Sequence, residues 1–171
     1  MKTLSAAAGL ALACAVPLAA HADKLKTNLS GFQETPATLS SPASGEFEAE
    51  IREHDTLIVW TLSYRGFPTA VQQAHIHFGA RGIGGGISIF LCTNLGNGPM
   101  GTQACPQPTT ATPTVTITGV ADATSVIGPA GQGIAAGELA EIIAAMRAGF
   151  AYANVHSAQF PGGEIRGQFK D

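Results

Sequence analysis

GEFEAEIR, residues Gly45–Arg52, alternates apolar side chains with charged ones. Successive side chains of an extended strand point to opposite faces, so the three apolar residues share one face and the glutamates share the other. A polar turn at Glu53–Asp55 follows, and Thr56–Tyr64 alternates in the same way. The pattern predicts a hairpin of two strands, each with one face in a core.

Alternating segments of this kind recur along the chain. The sequence holds 21 glycines and 10 prolines, and only 12% of its residues are charged. Further strands are predicted at Val71–Phe78, Ile87–Cys92, Val115–Val120, Phe150–His156 and Glu164–Phe169. Many short strands with turn residues between them are typical of an all-β fold. We expect an antiparallel β-sandwich of seven or more strands.

One segment, Glu138–Ala148, has helical rather than strand periodicity. Its apolar residues recur at spacings of three and four from Leu139 to Met146, and Gly149 stands where a C-terminal cap is expected. The spacing predicts one short helix that packs on the core by a single apolar stripe.

The first 22 residues have the pattern of an export signal. Lys2 precedes a mostly apolar run, and the Ala20–Ala22 tripeptide fits the small-x-small motif for cleavage. We therefore predict a signal peptide at residues 1–22, one domain at residues 23–171, and a periplasmic or secreted mature protein. No later segment reaches the ~20 apolar residues that a spanning helix needs, so no membrane span is expected.

Charge and cysteine content narrow the classes of partner. The formal net charge is −3, and no cluster of basic residues is present to neutralise phosphates, so nucleic acid is not expected as a partner. Cys92 and Cys105 remain after removal of the signal peptide. Two cysteines in an exported domain usually form a disulfide bond. Closing a loop this short would contribute about 3 kcal/mol of stability.

The segment QAHIHFG, Gln73–Gly79, carries the residues best suited to chemistry. His75 and His77 share one face of their predicted strand, and His156 leaves the polar face of a later strand. If the two strands are neighbours, three imidazoles meet and form a donor set for copper or zinc, with copper bound more tightly. The alternative is two exposed histidines on a solvent-facing strand.

Two further groups would complete such a site. Water, a small anion or a loop residue would fill the fourth coordination position. A tight turn is predicted at Pro161–Gly163, and a hairpin there would place Glu164 or Arg166 near His156. Glu164 is then the candidate acceptor that orients a ligand imidazole from outside the metal's own ligand set.

Four motifs of the mature chain belong together as a pattern. They are LSGFQETP at Leu29–Pro36, AHIHFG at Ala74–Gly79, YANVHS at Tyr152–Ser157 and FPGGEIRGQ at Phe160–Gln168. In this combination the chain closely resembles the chordin-type (CHRD) domain family over nearly its whole mature length. The resemblance implies an exported β-sandwich module, found in bacterial single-domain proteins and repeated in animal extracellular antagonists of growth factors. It implies no particular biochemical activity for the bacterial members.

A more distant likeness concerns the histidines. A His-x-His strand with a histidine on a later strand is similar to the copper site of the copper/zinc superoxide dismutase sandwich. No counterpart of that enzyme's bridging histidine or zinc loop is evident in this sequence. With the sandwich expected from the strands, the resemblances imply a Greek-key topology that is superoxide-dismutase-like or immunoglobulin-like.

Three functional hypotheses are consistent with these residues. The first is a domain that binds copper or zinc through His75, His77 and His156. The second is a metal-free interaction module that binds a protein or polysaccharide by an exposed sheet face or edge. The third is an oxidoreductase with an open copper position. No Ser-His-Asp order, paired catalytic carboxylates or cofactor fingerprint is evident, so no catalytic residues are predicted and a function other than catalysis is favoured.

Overall fold

The computed structural model describes residues 23–169 as one antiparallel β-sheet with a short α-helix. The predicted signal peptide, residues 1–22, lies outside the described residues. The elements are β1 (Asp23–Ser30), β2 (Ser44–Arg52), β3 (Leu57–Arg65), β4 (Val71–Phe78), β5 (Gly86–Thr93), β6 (Thr114–Ala121), α1 (Leu139–Arg147), β7 (Ala151–Ser157) and β8 (Ile165–Gln168). Within residues 23–169, no helix is both long and apolar enough to cross a bilayer.

The strands follow the order β5-β4-β7-β8-β1-β2-β3-β6 across the sheet. β8 and β1 share only one residue pair, Arg166 with Ser30, whereas the other neighbouring strands pair over several residues. This narrow join divides the sheet into two four-stranded halves. We call β1, β2, β3 and β6 the open half, and β4, β5, β7 and β8 the covered half.

The two halves face each other across one hydrophobic core. Phe47 of β2 packs against Phe169, which follows β8, with ring centroids 5.2 Å apart. The edge strands β5 and β6 line the same cavity, so the sheet is nearly closed. The predicted all-β antiparallel fold with one short helix is confirmed, and the chain crosses between the halves after β3, β5 and β6. The two layers belong to one continuous sheet because β8 and β1 join them.

The hairpin predicted from Gly45–Arg52 is formed by β2 and β3, with Phe47 paired to Leu62. Its three turn residues, Glu53–Asp55, all have φ between 53° and 68°, the left-handed region. His54 is exposed at the tip of this turn, so it takes no part in the histidine cluster described below.

The sequence pattern does not predict β1, although this strand joins the two halves. Its inward face carries Leu25, Thr27 and Leu29, all buried. Thr27 is polar, so it interrupts the alternation of apolar and polar residues by which a strand is predicted.

The helix and the disulfide bond lie where the sequence predicts them. α1 buries Leu139, both isoleucines and Met146, and Gly149 has φ 72° with its N–H donating to the Met146 carbonyl. A residue in this left-handed conformation ends a helix most easily when it is glycine. Cys92 and Cys105 form a disulfide with Cα atoms 5.0 Å apart.

Candidate metal centre

The three histidines meet on the outer face of the covered half. β4 and β7 are adjacent and antiparallel, with Gln73 opposite His156 and His75 opposite Asn154. Residues paired across two strands share a face, so His75, His77 and His156 all project to the same side. One ring nitrogen from each histidine lies within 4.8 Å of the other two. The neighbouring strands on which the predicted cluster depends are therefore present.

Two irregularities in β5 shape one wall of this cluster. The pairing between β4 and β5 shifts register between Ala74 and His75 and again between Ile76 and His77. An extra residue in one strand bends it and re-aims the side chains beside it. The Phe90 ring lies edge-on to His75 with centroids 4.4 Å apart, so an aromatic side chain closes this flank of the cluster.

The cluster is buried, which differs from the solvent-facing strand face considered from the sequence. His75 is 1% exposed, and His77 and His156 are each 6% exposed. The loop after β4 reaches the rings through Gly85, and the turn after β7 reaches them through Pro161. The alternative of two exposed histidines is therefore wrong. Alternation along the strand identifies the face on which the histidines lie, but it does not predict the loops that cover this face.

Hydrogen bonds set the tautomer of two rings. His77 Nδ1 lies 3.0 Å from the Gly85 carbonyl oxygen, and His156 Nδ1 lies 3.0 Å from that of Pro161. A carbonyl only accepts, so each Nδ1 carries the proton and each Nε2 keeps its lone pair. His75 Nδ1, 3.1 Å from His156 Nε2, is then the donor of that hydrogen bond. The buried Nε2 atoms of His75 and His77 have no hydrogen-bond partner.

Burial keeps all three rings neutral. Desolvation lowers the pKa of His77 and of His156 to about 4. The pKa of His75 lies lower still, because desolvation is reinforced by the two neighbouring imidazoles. Neutral imidazole is the form that binds a metal ion, so at neutral pH the Nε2 lone pairs of His75 and His77 are free, while that of His156 accepts from His75.

Tyr152, which was not predicted as part of the site, stacks on His77, and Arg166, which the sequence predicts near His156, lies against Tyr152. The Tyr152 ring stacks on His77 with centroids 4.8 Å apart and planes 4° from parallel. Its hydroxyl accepts from the Gly85 N–H at 3.0 Å, and the Arg166 guanidinium carbon lies 3.5 Å from its centroid. Strand alternation could have indicated Tyr152 as a neighbour of the site, because Tyr152 lies on the same face of β7 as His156.

Glu164 occupies a different position from the one expected for it. It is fully buried, and one carboxylate oxygen accepts from the Ser41 hydroxyl at 2.5 Å while the other has no partner. The acceptors that orient the imidazoles are the carbonyls of Gly85 and Pro161. Main-chain acceptors carry no sequence signature, which is why a nearby carboxylate was the natural candidate.

A second buried carboxyl group lies beside the cluster. Glu34 accepts from the Asn154 amide at 2.6 Å, and Asn154 also donates to the Ile165 carbonyl. Burial raises the pKa of Glu34 to about 7, although the Asn154 hydrogen bond and the Arg166 charge oppose the rise. Glu34 therefore belongs to a buried polar layer that surrounds the three histidines.

The fold and the cluster together define the class of protein: an antiparallel β domain with a buried three-histidine centre and a disulfide bond. Residues 25–169 match the family model described as CHRD domain, and the chain belongs to that family. The match covers nearly all of the described residues. Neither the curated proteins nor the solved structures contain a match to this chain.

Proposed function

We propose that this CHRD-domain protein is an exported metal-binding protein in which His75, His77 and His156 together bind one copper ion, with zinc as the alternative. The observation that carries the proposal is the convergence of three buried imidazole nitrogens within 4.8 Å of one another. Two buried nitrogens with no hydrogen-bond partner support it, because an unpaired buried acceptor costs stability unless a ligand uses it.

The spacing of the donors suits one ion. Nitrogen ligands lie about 2.0–2.1 Å from zinc, which puts them roughly 3.3–3.5 Å from one another around the metal. One ring nitrogen from each of the three histidines already lies within 4.8 Å of the other two. Binding would require His156 to give up its hydrogen bond from His75, and the rings to rotate until the three ligand nitrogens approach one another.

Export is part of the proposal. The predicted signal peptide at residues 1–22 supports a periplasmic or secreted location. The Cys92–Cys105 disulfide also supports it, since such bonds persist in oxidising compartments. In these compartments a bacterial member of the family would meet copper and zinc from outside the cytosol.

A metal-free interaction module remains the second candidate, and one observation favours it. Each of the three rings already has a hydrogen bond, and two of them attach loops to the sheet through Gly85 and Pro161. On this hypothesis the histidines are structural, and a protein or polysaccharide partner binds elsewhere. An oxidoreductase gains no support, because the donor nitrogens of His75 and His77 are buried from solvent.

Metal titration separates these candidates. We expect calorimetry on the tag-free domain, residues 23–171, to show one copper(II) or zinc(II) ion per chain. Alanine substitution of His75, His77 or His156 should each abolish stoichiometric binding, with folding checked by circular dichroism. His54→Ala is the matched control, because His54 is exposed on a turn of the open half. Unchanged affinity in all three cluster variants would favour the metal-free module.

A further inference from the structure

The surroundings of the cluster contain little that could neutralise a cation. Within residues 23–169, the hydrogen bonds and ring contacts of the three imidazoles reach one another, the carbonyls of Gly85 and Pro161, and the rings of Phe90 and Tyr152. The two buried carboxyl groups nearby form no hydrogen bond with the imidazoles: Glu34 accepts from Asn154, and Glu164 accepts from Ser41 through one oxygen while its other oxygen has no partner. All three ligands are neutral imidazoles, so a bound ion would keep its full charge.

One buried charge near the cluster, that of Arg166, has the same sign as a metal ion. The Arg166 guanidinium lies against one face of Tyr152, and His77 stacks on the ring as well. Arg166 is 2% exposed and is held by the Ala80 carbonyl, the Thr35 hydroxyl and Gln168. Its charge is therefore poorly screened by solvent, and it repels a dication twice as strongly as a monocation.

The cost of burying an ion also depends on its charge. In a medium of low dielectric constant the solvation penalty grows with the square of the charge, so a dication loses about four times as much as a monocation of similar size. Carboxylate or thiolate ligands can offset part of this penalty because they carry negative charge. The three-histidine cluster offers neither, which disfavours a doubly charged ion.

Coordination number leads to the same conclusion. Zinc usually takes four ligands in a tetrahedral arrangement, and copper(II) prefers four in a tetragonal one. The buried ring nitrogens of His75 and His77 have almost no contact with solvent, so water has poor access to a fourth position. Copper(I) has a filled d shell and accepts three nitrogen ligands in a plane.

We infer that the His75–His77–His156 centre is selective for copper(I), bound by three imidazole nitrogens without a water ligand. The inference rests on the proposed function and specifies which ion the centre takes. Gly85, Pro161, Phe90 and Tyr152 then serve as a neutral wall that excludes water and anions. Selectivity arises from what the wall lacks, a carboxylate or a solvent-accessible position, together with the positive charge of Arg166.

The test compares three ions on the wild-type domain. Copper(I) affinity is measured anaerobically against a chromophoric chelator, and copper(II) and zinc(II) affinities against competing small ligands. We expect copper(I) to bind at least 100-fold more tightly than either dication. A 100-fold preference over copper(II) raises the midpoint potential of the bound copper by about 120 mV relative to the free ion. X-ray absorption should show three nitrogen ligands and no oxygen.

The outcomes distinguish the inference from the function on which it rests. Equal or tighter binding of copper(II) or zinc(II), or an oxygen ligand on bound copper(I), would overturn copper(I) selectivity and leave the metal-binding function standing. Absence of binding for all three ions would overturn both.

A charge variant tests the part assigned to Arg166. Arg166→Gln keeps a side-chain amide to donate to the Ala80 carbonyl but removes the positive charge. We expect it to reduce the preference for copper(I) over copper(II) by at least threefold, read as a lower midpoint potential. Arg147→Gln is the control, because Arg147 pairs with Asp23 and Asp55 at the end of α1 and touches none of the three histidines. Equal shifts in both variants would contradict this role of Arg166. The wild-type comparison decides the selectivity even if Arg166→Gln does not fold.

Discussion

The open and covered halves use the same strand alternation for different purposes. In β6 of the open half, exposed and buried residues alternate strictly from Thr114 to Thr118. In β7 and β8 of the covered half, every residue is buried, including the polar ones. The outward polar face is therefore exposed to solvent in the open half and covered by loops in the covered half. A buried second face requires each polar group to find a partner, and this is the environment in which the histidine cluster forms.

The largest difference between the two halves is expected in the free energy of unfolding when one arginine is removed from each. Arg166→Leu in β8 deletes a buried cation whose hydrogen bonds reach Thr35, Ala80 and Gln168. We expect it to lower the free energy of unfolding by about 3–5 kcal/mol, because buried acceptors lose their donor. Arg65→Leu at the exposed end of β3 should change it by less than about 0.5 kcal/mol. Urea unfolding followed by circular dichroism measures the free energy of unfolding of both variants. Similar decreases in the two variants would mean that solvent reaches the outer face of the covered half.

The features that the sequence predicts correctly are mostly those that depend on residues close to one another in the chain. Local alternation predicted the β2–β3 hairpin and the shared face of His75 and His77, since both depend on residues close in sequence. It also placed His156 on a polar face, and the pairing of β4 with β7 then completed the cluster.

Outside the histidine cluster, polar contacts between distant residues were not predicted. Glu34 meets Asn154 across a separation of 120 residues, and Arg166 reaches the Ala80 carbonyl across 86. Neither contact leaves a local period in the sequence. The orienting carbonyls of Gly85 and Pro161 are main-chain groups that any residue would supply, so the sequence cannot distinguish them from Glu164 as acceptors.

Between about pH 4 and 7, the pH dependence of stability should report on the buried histidines and on Glu34. The unfolded chain binds protons on its histidines below about pH 6.5, whereas the folded, metal-free chain does not bind them on His77 and His156 until about pH 4. Stability therefore falls as pH falls through this window. Glu34 has the opposite sign, because its folded pKa of about 7 lies above the unfolded value, so its contribution falls as pH rises between about 4.5 and 7.

The three buried histidines together change the free energy of unfolding with pH more than Glu34 does in this window. We expect the metal-free domain to lose about 2 kcal/mol of unfolding free energy between about pH 6.5 and 5.5. Glu34→Gln should make this loss steeper, because it removes the opposing proton. Urea titrations at several pH values in the presence of a chelator give both slopes. A stability that is flat with pH in wild type, or a shallower slope in Glu34→Gln, would contradict burial of the cluster in its neutral form.

The smallest effect is expected for a polar pair in the open half. Ser63 of β3 and Thr116 of β6 lie opposite each other with hydroxyl oxygens 2.7 Å apart on the solvated face. Water replaces either hydroxyl when it is removed, so a double-mutant cycle of Ser63→Ala and Thr116→Ala should give a coupling energy of about 0.3 kcal/mol. The same cycle on Asn154→Ala and Glu34→Ala, a buried pair 2.6 Å apart that joins β7 to the segment after β1, should give a coupling several times larger. The two hydrogen bonds have similar lengths, but one joins two exposed hydroxyls and the other joins a buried amide to a buried carboxyl group. Equal coupling energies would show that solvent reaches Asn154 and Glu34 as freely as it reaches β3 and β6, and the dry surroundings assigned to the three histidines would then have no basis.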